Sequence, residues 1–202
     1  MARAARSGVV FAALGTVVAL ALPAHAQSGG ACQLDGTANF TPPLTNSGGN
    51  FSYDFGAALS GCQSNVAGAP TAGSVNVGKV YTAPTGQRFQ EPRATGNGTC
   101  GNGTTQGTAL VFWGDGTTTV ITYTTSSVAA AVNQQGTVVP SVTLPAINPL
   151  PGQPTSITLA TTRFNGDTAQ GALTFQADPT LCAGAGVSSA TVSGVVGIGH
   201  TS

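Results

Sequence analysis

The stretch from Thr108 to Thr125 reads TALVFWGDGTTTVITYTT. Its first six residues are nearly all apolar and suit a pleated surface, which predicts a strand buried on both faces. Gly114-Asp115-Gly116 supplies residues that tolerate the backbone of a tight turn. An Asp-Gly pair between two such runs is a strong hairpin signal. Beyond the turn, Val120, Ile121 and Tyr123 carry the apolar load of a returning strand. Helical periodicity is absent here, and the rest of the chain follows the same rule.

Working outward, Phe51, Tyr53 and Phe55 alternate with Asn50, Ser52 and Asp54, giving one aromatic and one polar face. Val75, Val77 and Tyr81 continue such a pattern across Lys79. Ile157, Leu159 and Thr161 lead to Asn165-Gly166, after which Ala172, Leu173 and Phe175 return, which predicts a second hairpin. Val192, Val196 and Ile198 form a last strand. The segment Val128–Val132 reads as strand or loop, and Thr82–Thr105 as irregular. Pro140, Pro145, Pro149, Pro151 and Pro154 predict an exposed connection or sheet edge over 140–154, since proline cannot donate to a ladder. The pattern predicts an all-β domain, an antiparallel β-sandwich or barrel of about eight to ten short strands.

Arg3 and Arg6, the apolar run Val9–Leu22 and the small-x-small site Ala24-His25-Ala26 have the layout of a secretory signal peptide. The expected organisation is a leader over 1–26 and a single secreted β-domain over 27–202. Cys32, Cys62, Cys100 and Cys182 follow that leader. An even count in an exported chain reads as disulfides, and no closely spaced Cys/His set suits zinc. Folding Cys32–Thr41 back on Asn50–Cys62 about the turn at 46–50 sets positions 32 and 62 opposite each other. The predicted pairs are therefore Cys32–Cys62 and Cys100–Cys182.

Without the leader, Lys79, Arg88, Arg93 and Arg163 face six carboxylates, a formal charge of −2. So few cations, unclustered, exclude phosphate-driven nucleic-acid binding. After cleavage no long apolar segment remains for membrane anchoring. His200 is the only histidine beyond the leader and lies close to the chain end, so no Ser-His-Asp or Cys-His system is expected. Asp115 and Asp167 sit beside glycine, and Asp178 precedes Pro179, all turn positions. No catalytic residue, cofactor or metal ligand is assigned.

Two weaker binding signals stand out. Arg88-Phe89-Gln90-Glu91-Pro92-Arg93 is a charged, aromatic-bearing loop in a nearly uncharged chain, which makes Arg88, Phe89, Glu91 and Arg93 candidate partner contacts. Trp113, the single tryptophan, is a candidate for stacking on a ligand, although its apolar run favours a core position. The expected function is a non-enzymatic binding or structural protein at the cell surface or in an extracellular assembly. Its expected partner is another secreted or cell-surface protein, with cell-wall glycan as the alternative. A hydrolase working through paired carboxylates is a third reading.

The Ala/Gly/Thr/Val-rich composition, the leader and two local runs resemble a loose group of small secreted actinobacterial β-rich proteins of unassigned function. The runs are Gly107–Thr117 (GTALVFWGDGT) and Arg163–Thr168 (RFNGDT), the latter leading to Phe175–Cys182 (FQADPTLC). The resemblance implies an extracellular β-domain and brings no catalytic residue with it. The proline-rich segment around 140–154 departs from it.

Overall fold

The structure, a computed structural model, describes residues 26–201. The expected leader lies outside this range except for its last residue. Thirteen strands and one short helix make up the fold. Two long strands, β1 (Ala26–Leu44) and β2 (Gly49–Ser64), form a hairpin about the turn between them. On its other side β1 pairs with β13 (Val187–Thr201), which pairs with β12 (Thr168–Gln176). From β12 the ladder runs through β9 (Ala131–Val139) and β8 (Thr118–Val128) to β7 (Asn102–Trp113). Between β7 and β2 lie β3 (Gly73–Val77) and β6 (Ala94–Gly98), which close the sheet into an antiparallel barrel of eight strands.

β3 and β6 are two halves of one barrel strand. Val77 pairs with Phe55, and Ala94, seventeen positions later, pairs with Tyr53. The chain leaves the barrel between them and makes a small hairpin, β4 (Val80–Thr82) with β5 (Arg88–Gln90). Gly78, at φ +66°, turns the chain out. A Cβ there would lie 3.1–3.3 Å from Arg93 and Asp54, so a side chain is doubly disfavoured at this neck. A single strand over Val75–Tyr81 was the expectation; the left-handed residue at 78 breaks it, and Tyr81 belongs to the excursion.

A second excursion separates β9 from β12. It carries the hairpin of β10 (Ser141–Pro145) and β11 (Ser156–Ala160). Ile157 and Leu159 therefore pair with β10 and not, as the sequence suggested, with the strand around Ala172–Phe175. The Asn165-Gly166 turn lies in the return to β12 instead. The prolines behave as expected of a connection. Pro140 precedes β10, Pro145 is its last residue, and Pro149, Pro151 and Pro154 lie in the exposed turn beyond it.

Both excursions fold onto the outside of β7 and β8. Phe89 bridges to Ala146, and the Ile147 amide donates to the Arg88 carbonyl at 2.9 Å. Beneath them, Leu110 and Val120 point out of the barrel and pack with Ala83, Phe89 and Leu144 as a second small core. Tyr81 stacks on Phe112 there, with ring centroids 5.8 Å apart. Ala109, Val111 and Trp113, of opposite parity, point into the main core. This double covering is why the run from Ala109 to Trp113 is apolar at every position.

Elsewhere the outer face is polar: Gln33, Asp35 and Thr37 on β1, Asn133, Gln135 and Thr137 on β9 are all exposed. Apolar inside and polar outside is the reverse of an outer-membrane barrel, whose outward face must meet lipid. Among the described residues no helix is long and apolar enough to cross a membrane.

Cys32 is bonded to Cys62 and Cys100 to Cys182, as the strand geometry predicted. The first links β1 to the far end of β2. The second ties the β6–β7 turn to helix α1 (Pro179–Cys182), which Asp178 caps. The bonds close loops of 30 and 82 residues. In the chain-entropy relation, loss of the first is expected to cost about 3.6 kcal/mol and of the second about 4.5 kcal/mol. Urea unfolding of the two Cys-to-Ala double variants checks this; the opposite ranking would show that chain entropy does not govern the difference.

Candidate functional site

The barrel interior holds a cavity of about 190 Å³, partly open to solvent, and its lining residues include no Asp, Glu, Lys, Arg or His. Strand parity builds the lining. On β1 and β2 the inward positions hold large aromatics: Phe40 lies 5.7 Å from Phe51 and 5.9 Å from Tyr53, ring centre to ring centre. The facing wall is thinner. Leu173 on β12 and Val192, Val196 and Ile198 on β13 point inward yet stay only half-buried. Eight-stranded barrels have an interior just wide enough to be filled by side chains or to hold one small ligand. Here the aromatic wall fills part of it and the valine-rich wall borders the remainder.

A strip of polar groups crosses this apolar lining. The Tyr53 hydroxyl lies 2.6 Å from that of Tyr123 and 3.1 Å from Thr105 Oγ1, which lies 2.7 Å from Thr125 Oγ1. Burial pushes the Tyr53 phenol above the usual tyrosine value, against the lowering pull of its bonds to Thr105 and Tyr123. Tyr123 is pushed up further, first by burial and then by its neighbour Tyr53. Both phenols are therefore held neutral. Gln134 on β9 stands opposite Thr125 and continues the strip.

At one end of the lumen Trp113 meets Phe164 edge to face, centroids 5.6 Å apart, and its Nε1 donates to Thr119 Oγ1 at 2.8 Å. Over this plug, Arg163 Nη2 donates to Asp115 Oδ2 at 2.7 Å and its Nε to Thr117 Oγ1 at 3.2 Å. Trp113 is thus 7% exposed and lines the cavity from within. It offers no outer face for a sugar ring to stack on.

The loop singled out as a partner contact divides by parity. Arg88 and Arg93 are exposed, but Phe89 is 2% and Glu91 1% exposed. Phe89 anchors the second core. Glu91 clamps the neck of the first excursion: its Oε2 accepts the Lys79 amide at 3.0 Å, and its own amide donates to the Lys79 carbonyl at 3.0 Å. Neither is available to a partner, because the alternation of β5 and the excursion's packing turn both inward. Glu91 Oε1 has no hydrogen-bond partner. Burial pushes this carboxyl up, against the lowering effects of the Lys79 amide, the Asn76 side chain and the Lys79 charge.

The remaining carboxylates have local duties. Asp54 pairs with Lys79 and accepts from Asn39; burial pushes it up, but those partners and Arg93 leave it below the usual value. Asp115 accepts the Thr117 amide, and Asp178 the Thr180 amide, both at turns as the sequence suggested. Asp167 is buried. Among the described residues no three of His, Cys, Asp and Glu gather where a metal would sit. His200 has its backbone in β13, and its side chain lies outside the description.

Sequence reading missed the polar strip. The signal was nevertheless present as parity: Val132, Gln134, Gly136 and Val138 share one phase of β9, and Thr105, Gly107, Ala109 and Val111 one phase of β7. A glutamine or threonine in the apolar phase marks a polar group turned inward. No protein family matches the chain, and no curated protein or solved structure matches it either.

The Glu91 carboxyl makes a pH prediction with a definite sign. A raised folded value means that its contribution to stability is complete below about pH 4.5 and is lost as pH rises through the folded value. Glu91→Gln is expected to remove that dependence and to be more stable than the parent by about 1 kcal/mol at neutral pH. Thermal midpoints of both proteins between pH 4 and 8 test it; parallel curves would show that Glu91 does not titrate there. The hydroxyl strip makes another. Tyr123→Phe leaves the Tyr53 hydroxyl without one partner and is expected to cost about 1–2 kcal/mol in urea unfolding.

Proposed function

We propose that this is a non-enzymatic binding protein of an oxidising, extracellular space, and that its site is the barrel lumen, which takes a small apolar molecule. The observation that carries the reading is the 190 Å³ cavity, closed round by an uninterrupted ladder and lined without a charged side chain. An apolar cavity with a few convergent polar groups is the usual form of a small-molecule site. The lining offers neither a carboxylate pair nor a nucleophile–base couple, which supports binding over hydrolysis. The two disulfides support the oxidising compartment.

The outer surface lends less support to a protein partner. Its large exposed apolar residues, Val80, Val128, Leu150 and Leu181, lie on two different strands, the β10–β11 turn and helix α1, and singly are ordinary. Two of the four residues first chosen as contacts, Phe89 and Glu91, are buried. A glycan platform would need an exposed aromatic face, and Trp113 is interior.

Size limits the ligand. A cavity of about 150 Å³ in an unrelated core holds benzene. The lumen here suits one ring with a substituent and is well short of a lipid chain. Benzene is the probe of choice. At ten times its dissociation constant it is expected to raise the unfolding free energy by about 1.4 kcal/mol. Leu173→Trp, which places a larger side chain in the lumen, is expected to abolish the increase. The same increase in the variant would locate binding elsewhere, and no increase in either protein would remove the lumen as a site.

A further inference from the structure

Gln134 is the one inward side chain on β9 with a full hydrogen-bonding repertoire: two amide donors and a carbonyl acceptor. It sits in the apolar phase of its strand, half-buried, against the cavity. Its cross-strand neighbours on the same face are Thr125 on one side and Gly171 on the other. A Cβ at Gly171 would stand 2.8 Å from Gln134 Oε1. The missing side chain there is what allows the carboxamide to lie along the lumen wall. Among the described residues the Gln134 amide has no hydrogen-bond partner. The neighbouring hydroxyls are different: Thr125, Thr105, Tyr53 and Tyr123 are linked to one another by three bonds.

Resting on the lumen reading above, we infer that Gln134 is the specificity-determining residue of the site. The ligand is a small neutral molecule with a ring-sized apolar body and a single hydrogen-bonding group, an alcohol, phenol or carbonyl, that meets the Gln134 carboxamide. Charge is excluded because no lining side chain carries a compensating charge, and burying an unpaired ion is far costlier than neutralising it. A second polar group is disfavoured because the hydroxyls of the strip already bond one another and the facing wall, Leu173, Val192 and Val196, offers only hydrocarbon. Of the two carboxamides that line the cavity Gln63 is exposed and Gln134 half-buried, so Gln134 is the one placed to meet a polar atom of an occupant inside the lumen.

Benzene, phenol and benzoate at pH 7, titrated calorimetrically into the oxidised protein and into Gln134→Met, test this. Methionine keeps the volume and removes the hydrogen bonds. In the parent, phenol is expected to bind within about threefold of benzene, and benzoate not to bind. In Gln134→Met, benzene affinity is expected to stay within about twofold while phenol weakens by about tenfold, the loss that an unpaired buried hydroxyl brings. Retained benzene binding also reports that the variant is folded. An unchanged phenol-to-benzene ratio in Gln134→Met would overturn the role of Gln134, as would a parent that takes benzene and rejects phenol. Benzoate binding as tightly as phenol would overturn neutrality. If neither benzene nor phenol bound the parent, the lumen reading itself would fall, and this inference with it.

Discussion

Closure of the sheet through β1 is the constraint on which the rest of the molecule depends. β1 hydrogen-bonds to β13 along one side and to β2 along the other, so its long ladder joins the two ends of the chain's meander. Once the sheet is closed no barrel strand keeps an unpaired edge, and inward and outward positions can no longer exchange without a register slip around the whole circuit. Strand number then limits interior volume. The cavity and its lining follow from that closure, and the bond from Cys32 to Cys62 holds the seam between β1 and β2.

The two excursions show how the same chain builds a second layer without a second domain. The first interrupts one barrel strand and the second separates two, and each returns to continue the ladder. Their hairpins are short and would be marginal alone. They persist because they share an apolar face with the outside of β7 and β8, centred on Phe89, Leu110 and Leu144. Glu91 at the neck joins this layer to the barrel through the Lys79 backbone, at the cost of a buried carboxyl oxygen without a partner.

Inside the barrel, the balance of large and small side chains sets what the lumen can do. Aromatic residues on β1 and β2 face valines and glycines on β12 and β13, and the hydroxyl strip runs between these walls. In the proposed reading the lumen's occupants are neutral and compact. Its polarity lies in groups held uncharged by burial, so its character changes little with pH or salt, consistent with an extracellular setting.

Much of this was legible in the residues themselves. Period-two alternation dictated strands, Asp-Gly at 115–116 dictated the β7–β8 hairpin, and the turn at 46–50 set Cys32 opposite Cys62; these are local effects, decided by neighbours in the chain. The sequence also marked Thr108–Trp113 as buried twice over, without naming what covers it. Tertiary structure alone decided barrel over sandwich, because closure depends on β1 meeting β13 at the opposite end of the chain. It decided that Ile157 and Leu159 pair within an excursion and not with β12, a choice between strands of similar pattern settled by packing on Leu110 and Val120.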